Sequence, residues 1–381
     1  MVSAEGLRLA LFTDTYAPQV NGVARTLERL AAAVEARGGA VRVFTAHDPE
    51  ASSAAGVGRF PSRAFWAYPQ VRLAWPRQRV VRDALEAYAP TIVHAATEFG
   101  VGLAGRRAAR DLGIPFVSSY HTSFAAYVEH YGLGALARPS WHFMLWFHNG
   151  GLRTYCPTQA IVDEVNARGF ERTAVWSRGV DSTRFSPSYR SEALRARLGV
   201  ADDTLVLSYV GRLAAEKGLD VALEALALVE QARPGQVRFL VVGDGPYEQE
   251  VRARAPRGTV LTGKLHGTAL SEAFASGDVF LFPSTTDTFG NVMLEAMASG
   301  LPVIGADVGP TREQLQSGGG WLAAPGDAAA FAAAIITLID DRSRVREAAI
   351  RALAIAATKT WDAVWDTLVA DYLRLHRPAL R

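Results

Sequence analysis

Cysteine is almost missing from this chain: Cys156 is the single one in 381 residues. That excludes an intramolecular disulfide framework and a cysteine zinc cluster, and it makes the reducing cytoplasm the expected setting. No apolar run approaches the roughly 20 residues that span a bilayer. Residues 1–6 are short and polar, and residues 7–12 are too brief for the apolar core of a signal peptide. Lysine is nearly as rare, with only Lys217, Lys264 and Lys359 in a chain that otherwise writes arginine. No Asp-x-Asp occurs, which argues against a metal-held diphosphate, and the eight histidines make no H-E-x-x-H or similar ligand pattern. The net charge of +2 is uneven: residues 1–180 hold 19 arginines against 14 acids, a balance of +5, and the remainder is at −3. With abundant alanine, and without an RNA-recognition or helix-turn-helix signature, the arginine excess reads as genome composition; no nucleic-acid partner is expected.

The length suits two domains of ordinary size, and 49% apolar with 20% charged residues fits a globular protein. The chain repeats strand, loop and helix. Residues 7–12, 41–45, 91–95 and 115–119 read as buried parallel strands, with a helix at 22–37 closed by Gly38-Gly39. The theme restarts with strands at 205–210, 238–242, 259–262, 279–282 and 302–304, and with helices at 219–230, 248–254, 270–275 and 293–299. Repeated βα units predict two doubly wound α/β domains: 1–185, 186–360, and a closing helix from 361 that returns to the first domain. The proline-bearing stretch 181–190 reads as the linker. Ligands of such sheets lie at the carboxyl ends of the strands, so the expected site is a central cleft between the domains.

Residues 284–305, STTDTFGNVMLEAMASGLPVIG, carry the most chemistry. Asp287 and Glu295 are separated by seven residues, a Phe289-Gly290 turn follows the first acid, and a helix follows the turn. Backbone N–H groups at a helix start attract phosphate and hydroxyl oxygens, and a carboxylate further along the helix can accept hydrogen bonds from a sugar hydroxyl. Arg212 and Lys217 lie in GRLAAEKG, just past a strand, where two cations could grip a diphosphate or form a solvated pair. Gly243, in VVGDGP, shapes a turn with Pro246 at a helix start. The first strand opens into DTYAPQVNGV, which has one glycine where a dinucleotide fold would want G-x-G-x-x-G; a nicotinamide cofactor is not expected. Asn21-Gly22 reads either as a tight turn or as a close backbone approach to substrate. His121, beyond strand 115–119, reads as structural or catalytic.

Taken in order and spacing, GRLAAEKG, VVGDGP, TGKLHGTALSEAFASGDVFLFPS and TDTFGNVMLEAMASGLPVIG resemble the family-4 retaining glycosyltransferases of the GT-B fold, over nearly the whole chain. The resemblance implies a nucleotide-sugar donor, no separate cofactor and no metal. It implies that Arg212 and Lys217 bind the donor diphosphate, that Glu295 holds the ribose, and that Asp287 and the backbone amides of Phe289, Gly290 and Asn291 contact the sugar. It places the base on backbone groups of Lys264 and Leu265, and Gly22 and His121 on the acceptor side. The departure is Asp287, where the family's E-x7-E begins with Glu; the side chain is one methylene shorter.

YHTSF, WFHN and TDTFGN look most like bacterial enzymes that mannosylate lipids, and also like sulfoquinovosyl-diacylglycerol synthases. The expected reaction is therefore transfer of a hexose, mannose from GDP-mannose in the first instance, to a lipid or glycan acceptor. UDP-glucose or another UDP-sugar is the alternative donor. Residues 59–82 hold six arginines, no acid, and Phe60, Phe65, Trp66, Tyr68 and Trp75. They read as a peripheral contact with the inner face of the cell membrane, or as a partly solvated loop over core aromatics. Trp141, Phe143, Trp146 and Phe147 have the spacing of a core helix. A UDP-sugar 2-epimerase of the same fold would need further acids and histidines placed for proton abstraction, and no such set stands out.

Overall fold

The computed structural model of the chain describes residues 1–19, 21–65, 68–121, 137–201 and 203–376. Trp66 and residues 122–124 of the YHTSF stretch lie outside the described residues, as do the side chains of Phe65 and Tyr68. Two compact units divide the chain: Met1–Ser177 with Asp362–Arg381, and Arg178–Trp361.

The first unit is built on strands β1 (Arg8–Thr13), β2 (Ala40–Ala46) and β3 (Val57–Phe60), a hairpin of β4 (Ser62–Phe65) and β5 (Tyr68–Ala74), and then β6 (Ile92–Ala95), β7 (Phe116–Ser119), β8 (Arg153–Cys156) and β9 (Thr173–Val175). Apart from the antiparallel hairpin, the strands form one parallel sheet in the order β3-β2-β1-β6-β7-β8-β9. Leu9, Leu11 and Phe12 of β1 are fully buried, as expected of a strand covered on both faces. The helix Gly22–Ala36 is started by Asn21, whose side chain accepts from the Ala24 N–H at 2.9 Å.

The described residues of the arginine-rich segment 59–82 lie in β3, β4, β5, their flanks and the start of the helix Gln78–Tyr88. Phe60 is core, whereas Trp75 is 69% exposed. Phe147 is buried, while Trp146 lies at the surface with the Arg106 guanidinium 3.8 Å above its ring.

The helix Trp361–His376 packs on this unit through Trp365, Leu368, Val369 and Tyr372. Its acids are paired. Arg37 lies 3.0 Å from both Asp362 and Asp366, and the Tyr155 hydroxyl donates to Asp371 at 2.8 Å.

The second unit holds β10 (Leu205–Val210), β11 (Val237–Val242), β12 (Thr259–Leu261), β13 (Val279–Phe282), β14 (Val303–Ala306) and β15 (Gly320–Ala323). They form a parallel sheet ordered β12-β11-β10-β13-β14-β15. Side chains alternate between two cores: Val206, Leu240 and Phe280 enter one, and Leu205, Leu207, Phe239 and Val241 the other. The stretch 181–190, read as a linker, belongs to this unit. Phe185 is buried and stands edge-on to Phe274 at 5.3 Å, so an apolar anchor overrides the proline signal. Pro246 precedes the helix Glu248–Arg254 rather than starting it, because Tyr247 occupies the cap.

Candidate active site

The strand order of the second sheet reverses between β10 and β13, and in such sheets the loops leaving the two strands at that switch point make the ligand site. The β10 loop carries Arg212, passes through a short turn Ala215–Lys217, and enters the helix Leu219–Ala232 at Gly218. Gly218 has φ +70°, and a Cβ there would lie 2.5 Å from the Pro283 carbonyl oxygen. The two loops can approach this closely only because Gly218 has no side chain. The Thr286 hydroxyl donates to the Glu216 carbonyl at 3.3 Å, and the buried Tyr209 hydroxyl donates to the Arg212 carbonyl at 2.9 Å. Burial holds the Tyr209 proton tightly, and the charges of Asp287 and Glu216 add to this. Across this brace, Lys217 Nζ meets both oxygens of Asp287, at 2.8 and 2.9 Å. Arg212 lies 3.5 Å from Glu216.

The neighbouring loops complete the edge. Gly243 ends β11 with φ +137°, and a Cβ on it would sit 1.9 Å from the Gly211 carbonyl oxygen. Leu213 N–H donates to the Asp244 carbonyl at 2.8 Å, so the arginine loop leans on this turn. Lys264 pairs its side chain with Asp244 at 2.9 Å, and Leu265 follows it in the same loop.

The helix Asn291–Ala298 begins two residues earlier than its sequence suggests, which puts Glu295 about one turn past its start. Glu295 is half-buried. Phe289 is buried, and its carbonyl accepts from the Gln314 side-chain amide. The Ser284 hydroxyl, the Asn291 Oδ1 and the Gln314 Oε1 are buried with no hydrogen-bond partner among the described residues. Orphaned buried polar atoms are rare in folded chains, and here three belong to one loop and its neighbour.

Gly22 and His121 belong to the first unit. Gly22 is exposed at the start of its helix. His121 is half-buried, its ring 5.2 Å from that of Trp176. Sequence reading missed the polar groups around the switch of the first sheet. Asp14, at the end of β1, accepts from the Thr97 hydroxyl at 2.7 Å and from the Val101 N–H at 3.1 Å. Burial lifts its carboxyl to about 6, against those hydrogen bonds. Glu98 lies 3.3 Å from His148, which is bonded in turn to Ser118 at 2.8 Å. His94 is held between Ser119 and Tyr372, at 2.6 Å each, and burial lowers it to about 3. The "WFHN" stretch was the available signal for His148; the others carry no local pattern.

Residues 204–341 match the family model described as glycosyl transferases group 1, and residues 20–184 match glycosyltransferase family 4. The chain is 34% identical to the GDP-mannose-dependent alpha-mannosyltransferase of Mycolicibacterium smegmatis, over 96% of this chain and 97% of that one. It is 33% identical to the sulfoquinovosyl transferase of Arabidopsis thaliana, over 88% of this chain and 67% of that one. Among solved structures, Anabaena HepE in complex with UDP has a TM-score of 0.77 at 23% identity, covering 97% of this chain and 99% of that one. Two parallel, doubly wound sheets together with these matches define a GT-B hexosyltransferase. The chain belongs to glycosyltransferase family 4.

Proposed function

We propose that this hexosyltransferase moves mannose from GDP-mannose to a hydroxyl of a membrane glycolipid, with retention of configuration and without a metal. The observation that carries the donor is the end-to-end match to a GDP-mannose-dependent alpha-mannosyltransferase. The geometry supports the roles. Arg212 and Lys217 lie on the β10 loop beside the switch point and hold the diphosphate. Glu295, one turn into its helix, takes the ribose. Asp287, the Asn291 side chain and the amides of Phe289, Gly290 and Asn291 meet the sugar. Lys264 and Leu265 take the base, and Gly243 shapes the floor. Gly22 and His121 serve the acceptor, with His121 orienting it.

In this reading the acceptor oxygen bonds to the sugar carbon on the face from which the diphosphate leaves. The bond from that carbon to the phosphate oxygen breaks, and the departing phosphate takes the acceptor proton. The two cations stabilise the growing charge, the part a metal plays elsewhere. The acceptor would be met at the inner face of the membrane. Among the described residues no helix is long and apolar enough to cross a bilayer, so contact would be peripheral. The exposed Trp75 and Val80, with Arg77 and Arg79, support a surface of this kind.

The test is transfer by the purified protein to a diacylglycerol glycolipid in anionic vesicles, with GDP-mannose and UDP-glucose compared with and without a chelator. An α-mannosylated lipid formed equally in both conditions is expected. Turnover only with UDP-glucose, a β-linked first product, or a strict need for added manganese would each overturn its part of the reading. Vesicle binding should weaken with salt, because exposed charges are screened. Transfer to a soluble glycan without any vesicle binding would replace the lipid acceptor.

A further inference from the structure

Asp287 is the one residue at which the E-x7-E pattern is altered, and the structure shows what the shorter acid does. Its two oxygens are both engaged by a single ammonium, Lys217 Nζ, at 2.8 and 2.9 Å. Both side chains are about three-quarters buried, at 22% and 26% exposure, so the pair is neither fully solvated nor sealed. The backbone beneath it is fixed independently: Gly218 abuts the Pro283 carbonyl and Thr286 is bonded to Glu216. The roots of Lys217 and Asp287 therefore stay put, and the ion pair is the contact that can exchange. An ammonium has three N–H donors and no acceptor. A carboxylate that faces both oxygens toward one ammonium presents that edge to the ammonium and not to a sugar hydroxyl.

We propose that Asp287 is a positioning residue for Lys217: it holds the ammonium while the donor site is empty, and the donor diphosphate takes the ammonium over, which releases the carboxylate to the sugar hydroxyls. This rests on the donor reading above and deepens it. The exchange makes the site discriminate donor from product. A nucleotide-sugar draws Lys217 away and gives Asp287 a hydroxyl in return. A bare nucleoside diphosphate draws Lys217 away and leaves a half-buried carboxylate beside a polyanion, which is unfavourable. Asp287 would thus favour release of the product nucleotide.

The experiment is calorimetric binding of GDP, UDP and GDP-mannose to the full chain, wild type against Asp287→Asn, Lys217→Ala and the double variant, with a thermal melt of each. Removing the carboxylate should tighten the nucleoside diphosphate by at least about 3–10-fold, the water-screened scale for one unit charge at roughly 4 Å. It should also weaken GDP-mannose, so that the ratio of the two constants shifts toward product. In the Lys217→Ala background no ammonium is exchanged, so Asp287→Asn should change diphosphate binding by a different factor than it does in the wild type; an equal factor in both backgrounds would overturn the exchange. Unchanged or weakened diphosphate binding in Asp287→Asn, with weaker GDP-mannose, would reduce Asp287 to a plain sugar ligand and overturn the exchange. If Asp287→Asn melts early, Asp287→Ser is the second variant, judged by the same ratio. Wild type that binds no nucleotide would overturn the donor reading itself, an outcome distinct from the failure of the exchange.

Discussion

At the switch of the first sheet, Asp14 after β1 meets Thr97 after β6; at the switch of the second, Lys217 after β10 meets Asp287 after β13. The positions correspond, but the chemistry differs. Asp14 is 4% exposed and takes its hydrogen bonds from a hydroxyl and from a backbone N–H in the first turn of the helix Gly100–Leu112. Nothing there is left for a ligand to claim. Lys217 and Asp287 are about three-quarters buried, on backbone that is braced without them, so that in the proposed reading each can be claimed by a group of opposite charge. The first contact is a staple and the second, in the proposed reading, is a site. A pair of polar residues at a switch point is therefore not enough to mark function; what marks it is a charged pair that can open without loosening the fold.

The sharpest way to break that contrast is to remove each contact. Lys217→Ala or Arg212→Ala should lower kcat by on the order of 10²-fold or more, as loss of one donor to a developing oxyanion does, with little change in melting temperature. Steady-state rates at saturating donor measure it, and normal turnover in either variant would sink the diphosphate role. A second variant strikes the backbone of the same site. Gly243→Ala forces a Cβ to within 1.9 Å of the Gly211 carbonyl at φ +137°, so it should cost about 1–3 kcal/mol of stability as well as donor affinity. A melt at wild-type temperature would show that the two loops are looser than they stand. At the first switch the effects should reverse. Thr97→Val leaves the Asp14 carboxylate without its hydroxyl and should cost roughly 1–3 kcal/mol in stability, while kcat falls less than tenfold. A loss of turnover comparable to that of Lys217→Ala, with an unchanged melt, would make the staple a site.

The same contrast explains what could be read from residues alone. Five of the six strands of the second sheet were legible, because they are mostly apolar and the sheet's glycines and lone lysines stand where backbone loops meet; β15, partly exposed at the sheet edge, was not. GRLAAEKG and TDTFGN carry their spacing locally. The pairing of Lys217 with Asp287 joins residues 70 apart, and nothing in either motif announces it. In the first unit the informative contacts are longer still. His94 to Tyr372 spans 278 residues, and Arg37 to Asp362 spans 325. In the closing helix Val364, Leu368, Tyr372 and Leu375 stand at helical spacing in the sequence. The helix buries Trp365, Leu368, Val369 and Tyr372, because Trp365 packs on Trp176 and turns the stripe by one residue. The hairpin of β4 and β5 was hidden by its arginines, since Arg72 bonds the His47 carbonyl and the Ser62 hydroxyl and so serves the strand pairing.

The smallest effect expected is the pH dependence of the first unit, where two buried groups oppose each other. Asp14 has its carboxyl raised by burial to about 6 from 3.8. Its folded state keeps a proton that the unfolded chain gives up, so its contribution is fully present below pH 3.8 and is lost as pH rises through 6, roughly 3 kcal/mol in all. His94 is lowered by burial to about 3 from 6.5. Its folded state stays neutral while the unfolded chain takes up a proton, so its contribution is full above pH 6.5 and is lost as pH falls, roughly 2 kcal/mol by pH 5. Between pH 7 and pH 5 the Asp14 gain of about 1.4 kcal/mol nearly offsets the His94 loss. The wild type should therefore change by less than about 1 kcal/mol across that range from these two groups. Asp14→Asn removes the first term and should expose the second, making the protein lose stability steadily on acidification. His94→Asn should do the reverse and gain. Urea unfolding followed at pH 5, 6 and 7 reads both slopes. Parallel pH profiles for the two variants would mean that neither group is held in the charge state its burial dictates, and that the staple at the first switch is as open to exchange as the ion pair at the second.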